Sequence, residues 1–286
     1  MKSTGIALVT SLAALATAVA VAGAWAQSGP PKSAPAAGMA QLRGVNFVSN
    51  CRFSHRAPDD PIVAPGRAGA SHDHSFVGST STNAFSTLQS LRRSATTCMR
   101  PGDTAAYWMP TLLVGGAPVE PLGATVYYRR RTLDAVRAFP PGFRMIAGSA
   151  LAQTAQDRRV TFWNCGAMAD VPPSSTVPTC PAGRATSLRL HVTFPSCWTG
   201  SSLDSADHQS HVAYPTRGRC PASHPVAVPA ISVIFRYPVS GGAGTTLSSG
   251  GQFSAHADFF NAWNQGALTR LVNGCLNALR HCGRGT

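Results

Sequence analysis

Eight cysteines constrain this chain more than any other feature: Cys51, Cys98, Cys165, Cys180, Cys197, Cys220, Cys275 and Cys282. They are even in number and spread along most of the sequence. In an oxidising compartment such a set reads as four disulfides. No pair has the C-x-x-C spacing of a zinc knuckle, so a cysteine-held metal is the weaker reading. Spacing alone leaves on the order of a hundred connectivities open. Pairing between sequence neighbours would give Cys51–Cys98, Cys165–Cys180, Cys197–Cys220 and Cys275–Cys282.

The N-terminus points to that oxidising compartment. Lys2 supplies a positive start, Ile6 to Gly23 is apolar or small, and Ala24-Trp25-Ala26 has the small-x-small pattern of a cleavage site. Residues 1–26 therefore read as a secretory signal peptide, and the chain as secreted, either periplasmic or extracellular. A membrane anchor fits less well, because the run is short, alanine-rich and followed by that site. No later segment reaches some 18 uninterrupted apolar residues, so no transmembrane helix is expected after signal removal. Residues 27–41 are Pro/Ala/Ser-rich and read as a flexible linker. Residues 42–286 then form a single domain, long enough to bury a core of its own. The disulfides clamp that core instead of substituting for it.

The fold class follows from periodicity and punctuation. Leu188, Leu190, Val192 and Phe194 alternate with polar residues, and so do Ile231, Val233, Phe235 and Tyr237. Such alternation marks strands with one buried face. Ala124–Tyr128, Val160–Trp163 and Phe143–Ile146 are further strand candidates. Gly 27 and Pro 22 supply turns between them. Leu268, Leu271, Val272, Cys275, Leu276 and Leu279 recur at helical steps and predict a C-terminal helix. The expected architecture is mainly β: a disulfide-stapled β-sandwich or jelly-roll-like domain with a few short helices.

Charge narrows the partners. Lys and Arg number 24 against 11 Asp and Glu, a formal net charge of +13. That favours an anionic polysaccharide or another cell-envelope polymer, and export makes nucleic acid the poorer match. Carboxylates are scarce, yet Asp73, Asp204, Asp207 and Asp258 sit within four residues of a histidine. Three compact clusters result. The first is His72-Asp73-His74; in an extended strand both imidazoles would share one face. The second runs from Asp204 through Asp207 and His208 to His211, with Tyr214 close behind. His208 and His211 would share a face if this piece makes a helical turn. The third is His256-Ala257-Asp258.

These residue types suit two kinds of chemistry. Imidazoles titrate near neutrality and serve as general acids or bases, with an aspartate to orient them. Converging imidazoles also hold zinc or copper, and His72, His74, His208 and His211 are the candidate ligands. His72, His74, Asp204, Asp207, His208, His211, Tyr214, His256 and Asp258 are the candidate catalytic residues. Against this, Asp, Ser and His in Gly/Pro-rich loops commonly just hold turns. No nucleophile elbow, H-E-x-x-H helix, phosphate loop or EF-hand is present. Ser196-Cys197-Trp198 would suit a cysteine nucleophile only if Cys197 were free. Trp163, Trp198, Trp263, Tyr107-Trp108 and Tyr127-Tyr128 suit sugar stacking or a core, the core being the commoner fate.

In chain order, Asp60-Pro61-Ile62-Val63-Ala64-Pro65-Gly66, Ser71-His72-Asp73-His74, Tyr107-Trp108-Met109-Pro110 and Trp163-Asn164-Cys165-Gly166 form one series of motifs. They continue into Phe194–Gly200, Leu203-Asp204-Ser205, Asp207-His208, Ser210-His211, Ala213-Tyr214-Pro215, Ser223-His224-Pro225 and His256-Ala257-Asp258-Phe259. This series closely resembles DUF1996, a family of secreted domains of unknown function found in fungi and bacteria. The resemblance implies export and one domain of about this size, and by association with carbohydrate-binding modules it implies work on polysaccharide. It supplies no reaction. The chain departs from the family's commoner pattern at Asp73, where an apolar residue is usual, and at Ala255 or Ala257, where glycine is usual. Three readings remain open: a hydrolase or lyase of envelope polysaccharide, a non-catalytic polysaccharide-binding module, and a metal-binding protein.

Overall fold

Alternating apolar residues become strands wherever the pattern is clear in the computed structural model, which describes residues 38–166, 169–183 and 187–283. The signal-peptide reading, and the linker as far as residue 37, lie outside the described residues. The described residues belong to one compact unit, Ala36–Thr286.

The strands are, in chain order, β1 Asn46–Cys51, β2 Phe53–Ala57, β3 His74–Gly78, β4 Ala106–Pro110, β5 Leu112–Val114, β6 Ala117–Val119, β7 Gly123–Arg129 and β8 Arg144–Gly148. There follow β9 Thr161–Asn164, β10 Arg189–Thr193, β11 Cys197–Trp198, β12 Val212–Ala213, β13 Val226–Ala227, β14 Ala230–Arg236, β15 Thr245–Leu247 and β16 His256–Phe260. Two five-stranded antiparallel sheets dominate, ordered β1-β7-β14-β10-β9 and β2-β3-β4-β16-β8. Two three-stranded sheets, β12-β11-β13 and β15-β5-β6, flank them.

The two large sheets pack face to face. Phe47, Val126, Val233 and Leu190 from the first share one core with Val77, Tyr107, Met145 and Phe259 from the second. Across the interface the Tyr107 and Tyr128 hydroxyls meet at 2.6 Å, and Trp263 Nε1 donates to Tyr128 at 2.9 Å. The expected mainly β architecture is therefore what forms, as a sandwich. Of the aromatics raised as sugar platforms, Trp108, Trp163, Trp198, Trp263, Tyr107 and Tyr128 are buried, while Tyr127 is partly exposed with the Arg129 guanidinium 4.3 Å from its ring centroid. A ring inside a close-packed core has no face left for a ligand.

Among the described residues two short α-helices complete the unit, with a 3-10 turn at Met39–Leu42 where the expected linker ends. The helix α1, Leu88–Arg93, is capped by Thr87, whose side chain accepts from Ser90 N. The helix α2, Gln265–Leu271, starts at Asn264 and runs into a π turn, Val272–Asn277. Leu268, Val272, Cys275 and Leu276 of the predicted apolar face join the main core and Leu271 packs against it, while Leu279 lies past the helix end at φ of 54° and is exposed.

All four disulfides join sequence neighbours: Cys51–Cys98, Cys165–Cys180, Cys197–Cys220 and Cys275–Cys282. Cys197 is thereby excluded as a nucleophile.

The second large sheet has an unusual outer face. Side chains alternate along a strand, so β3 sends Val77 to the core and His74 and Phe76 outward. β16 likewise sends Ala257 and Phe259 inward and His256, Asp258 and Phe260 outward. Register aligns Phe76 with Trp108, and Trp108 with Asp258. The segment between β2 and β3 lies over this face: its Ile62 forms a second apolar cluster with Phe76, Trp108 and Phe260. A polar centre is thus enclosed on the far side of the sheet from the main core.

Candidate functional site

The first and third clusters, some 180 residues apart in sequence, meet on that outer face. His72 Nε2 lies 3.2 Å from His256 Nε2, 184 residues further along the chain. The His72 and His74 ring centroids are 4.2 Å apart. His72 arrives from the covering segment, His74 from the start of β3, and His256 from the start of β16. The expectation that His72 and His74 share a face holds, and Asp73 turns away to pair with Arg56 at 3.1 Å.

Hydrogen bonds to carbonyls define the tautomers of the two buried rings. His74 Nδ1 lies 3.0 Å from the Asp59 carbonyl, and His256 Nδ1 lies 2.9 Å from the Ser254 carbonyl. A carbonyl only accepts, so each Nδ1 carries the proton and each Nε2 keeps its lone pair. His74 Nε2 is buried without a hydrogen-bond partner. Burial holds the His74 imidazolium far below its usual range, reinforced by His72 and His256. Burial also brings His256 down to about 4, against the Ser254 carbonyl, which favours the protonated ring. His72, half-buried, is lowered by the same desolvation, offset in part by Asp73.

Two carboxyls close the centre. Asp258 is fully buried, and neither of its oxygens has a hydrogen-bond partner. Burial, then the neighbouring Asp60, pushes its proton affinity well above the ordinary carboxylate range. Asp60 is also raised by burial, opposed by the backbone N–H groups of Val63 and Ile62 that it accepts at 2.9 and 2.8 Å. His256 Nε2 and Asp258 Oδ2 stand 3.9 Å apart. That is too long for a hydrogen bond, and burial disfavours the charged form of both groups. Ligand-type atoms of His72, His74 and His256 lie within 4.8 Å of one another, as do those of Asp60, His74 and Asp258. An unpartnered buried polar atom costs about 1–3 kcal/mol, and this centre holds several of them.

The second cluster is organised differently. His208 has φ of 58°, so the residues from Asp204 onward do not form the helical turn that would align His208 with His211. His208 turns to Asp204, with Nδ1 at 2.9 Å from Oδ1, and Asp204 also faces Arg144 at 3.8 Å. A carboxylate acceptor on Nδ1 leaves Nε2 of His208 as the basic nitrogen. This dyad abuts the buried centre: the His208 carbonyl accepts from Ile146 N at 3.2 Å, and Ile146 pairs in register with Asp258.

The remaining members of the second cluster hold the loop. His211 spends both ring nitrogens, one on Ser205 Oγ at 2.9 Å and one on the Arg144 carbonyl at 2.7 Å. Among the described residues neither His208 nor His211 joins a group of convergent metal-ligand atoms, so the ligand set expected from sequence is corrected there. Asp207 accepts from Ser205, Gln209 and Ser210 through Oδ1, and those hydrogen bonds, Ser205 first, hold it well below the usual carboxylate range. Tyr214 donates its hydroxyl to the Thr193 carbonyl at 2.8 Å. Desolvation of the hydroxyl raises that phenol further above its ordinary range, a direction that works against proton donation. A cleft of about 370 Å³ beside the dyad is lined by Gln209, Tyr214 and the β8 residues Ile146 and Gly148.

Asp60 was not among the residues singled out for chemistry. No histidine stands near it in sequence, and only the Asp-Pro motif that opens the covering segment marked it.

A disulfide-clamped β-sandwich with a histidine–aspartate centre on an outer sheet face defines the class of this protein. The chain belongs to the family described as Domain of unknown function (DUF1996), whose model matches residues 60–263. The matched span contains Asp60, all three histidine–aspartate clusters and the dyad. No protein of curated function and no solved structure matches the chain.

Proposed function

We propose that this protein is exported and acts on an anionic polysaccharide of the cell envelope or its surroundings, as a hydrolase or lyase. The observation that carries the reading is the His208–Asp204 pair, at 2.9 Å, set beside a cleft and against a buried imidazole–carboxyl centre. Orienting a neutral imidazole through Nδ1 is how a carboxylate prepares Nε2 to take a proton. The residue bearing it has positive φ, a conformation that costs energy and recurs at functional sites. Arg144, next to the dyad, suits the binding of an acidic group on the substrate. The net charge of +13 adds long-range attraction for a polyanion. Four disulfides, with no described helix long and apolar enough to cross a membrane, suit work outside the cytoplasm.

The test is a turnover screen against acidic and neutral polysaccharides, run with wild type and His208→Ala. General acid–base groups contribute on the order of a hundredfold or more. His208→Ala is therefore expected to lose turnover by at least that factor while its unfolding midpoint stays in place. Equal turnover by the variant removes the dyad from the mechanism. Salt-sensitive binding without turnover by wild type makes the protein a polysaccharide-binding module instead.

A further inference from the structure

We infer that His72, His74 and His256 form a three-imidazole site for one divalent transition-metal ion of the zinc or copper class. The inference stands whether or not the protein turns over a polymer, because it rests on the geometry of the buried centre alone.

Two of the three rings are already arranged as ligands. A metal-bound histidine characteristically donates its other ring N–H to a carbonyl or carboxylate, which sets tautomer and aim. His74 and His256 do this through the Asp59 and Ser254 carbonyls, at 3.0 and 2.9 Å. Their Nε2 lone pairs are then committed to the space they share with His72. No group among the described residues satisfies His74 Nε2 there.

Spacing fits the same ion. Zinc–imidazole bonds of about 2.0–2.1 Å in a tetrahedron place neighbouring nitrogens roughly 3.3 Å apart. His72 Nε2 and His256 Nε2 stand at 3.2 Å. Asp258 places a carboxyl oxygen beside the site: it is buried, has no hydrogen-bond partner among the described residues, and lies 3.9 Å from His256 Nε2. Nitrogen ligands select zinc and copper over calcium and magnesium, which prefer all-oxygen sites. Among the described residues no free cysteine competes for the ion. His72 is half-buried while His74 and His256 are buried, so the ion enters on the His72 side.

The experiment uses the protein purified without a histidine tag, stripped by chelator, then dialysed against zinc, copper or calcium and analysed for bound metal. One zinc or copper per chain is expected, with no retained calcium. His72→Ala should lose affinity by on the order of tenfold or more, and its copper form should show one nitrogen fewer in the electron paramagnetic resonance spectrum. His224→Ala, which alters a partly exposed histidine bonded to Ser223 and the Ser210 carbonyl and outside this centre, should bind as wild type does. Because His72 lies on the covering segment and not in a strand, its loss spares the core. Zinc should accordingly raise the melting temperature of wild type and not of His72→Ala. Failure to bind zinc or copper stoichiometrically, or undiminished binding by His72→Ala, overturns the site. His208→Ala separates the two readings: it should keep the metal while losing turnover.

Discussion

Single residues in this protein act through what burial does to their charge. Asp103 shows the effect away from the histidine centre. It sits between the sheets with Oδ2 at 2.6 Å from Ser49 Oγ, and Tyr107 donates to it at 3.0 Å. The Ala105 N–H and the Arg100 guanidinium also favour its charge, but burial outweighs them all and brings it to about 7. In the unfolded chain it titrates near 3.8. The folded state therefore holds a proton between those values that the unfolded state has lost. Stability from this group is complete below pH 3.8 and is lost as pH rises through about 7. Denaturant unfolding of wild type and Asp103→Asn across that window should show a downward slope in wild type that flattens in the variant. Parallel slopes would mean that other groups set the dependence.

At the scale of elements, strand pairing positions the chemistry. β16 is central in its sheet, held between β4 and β8, and it carries both His256 and Asp258. Gly148, opposite His256, makes that close pairing possible. It has φ of +82°, and a Cβ there would stand 2.4 Å from the Ala255 carbonyl and 3.0 Å from His256 Cα. The obstacles are backbone atoms, which have no rotamer to move to. Gly148→Ala is expected to cost at least about 1–2 kcal/mol for the backbone conformation alone, read as a lowered unfolding free energy. Gly250→Ala, also at positive φ but with nothing within 4 Å of the added Cβ, should cost less. Equal losses would show that strand approach contributes nothing at Gly148.

Across the whole molecule the disulfides set how much of the unfolded ensemble is constrained. Their sequence separations are 47, 15, 23 and 7 residues. Loop-closure entropy grows with the logarithm of loop length, so Cys51–Cys98 should contribute about 4 kcal/mol and Cys275–Cys282 about 2 kcal/mol. Paired alanine replacements of each bridge, compared by denaturant unfolding, test that order; a reversed order would show that contacts in the native state outweigh chain entropy. Cys51–Cys98 also joins the end of β1 to the loop before β4, and so ties the two large sheets together.

How much of this was legible beforehand depended on the range of the interaction. Strands β10 and β14 follow from alternation between neighbours, β7 from its run of β-forming residues, and the C-terminal helix from three- and four-residue steps, because each pattern is written within about ten residues. That His72 and His74 share a face follows from the same local rule. Histidines and aspartates stood out as clusters because so few carboxylates surround them. What local patterns could not carry was the meeting of His72 with His256, which requires β16 to pair between β4 and β8 and the segment before β3 to fold back over that sheet. Nor could they carry the parting of His208 from His211, since His208 takes a positive φ and bonds to Asp204 while His211 bonds to Ser205 and the Arg144 carbonyl. Asp60 was invisible as a partner because its neighbours are distant in sequence. The amino-acid sequence by itself determined the mainly β class and the residue types available for chemistry, through short-range sterics and apolar periodicity. Only the tertiary structure decided which of them share a centre, because strand order and burial are long-range consequences of closing one core.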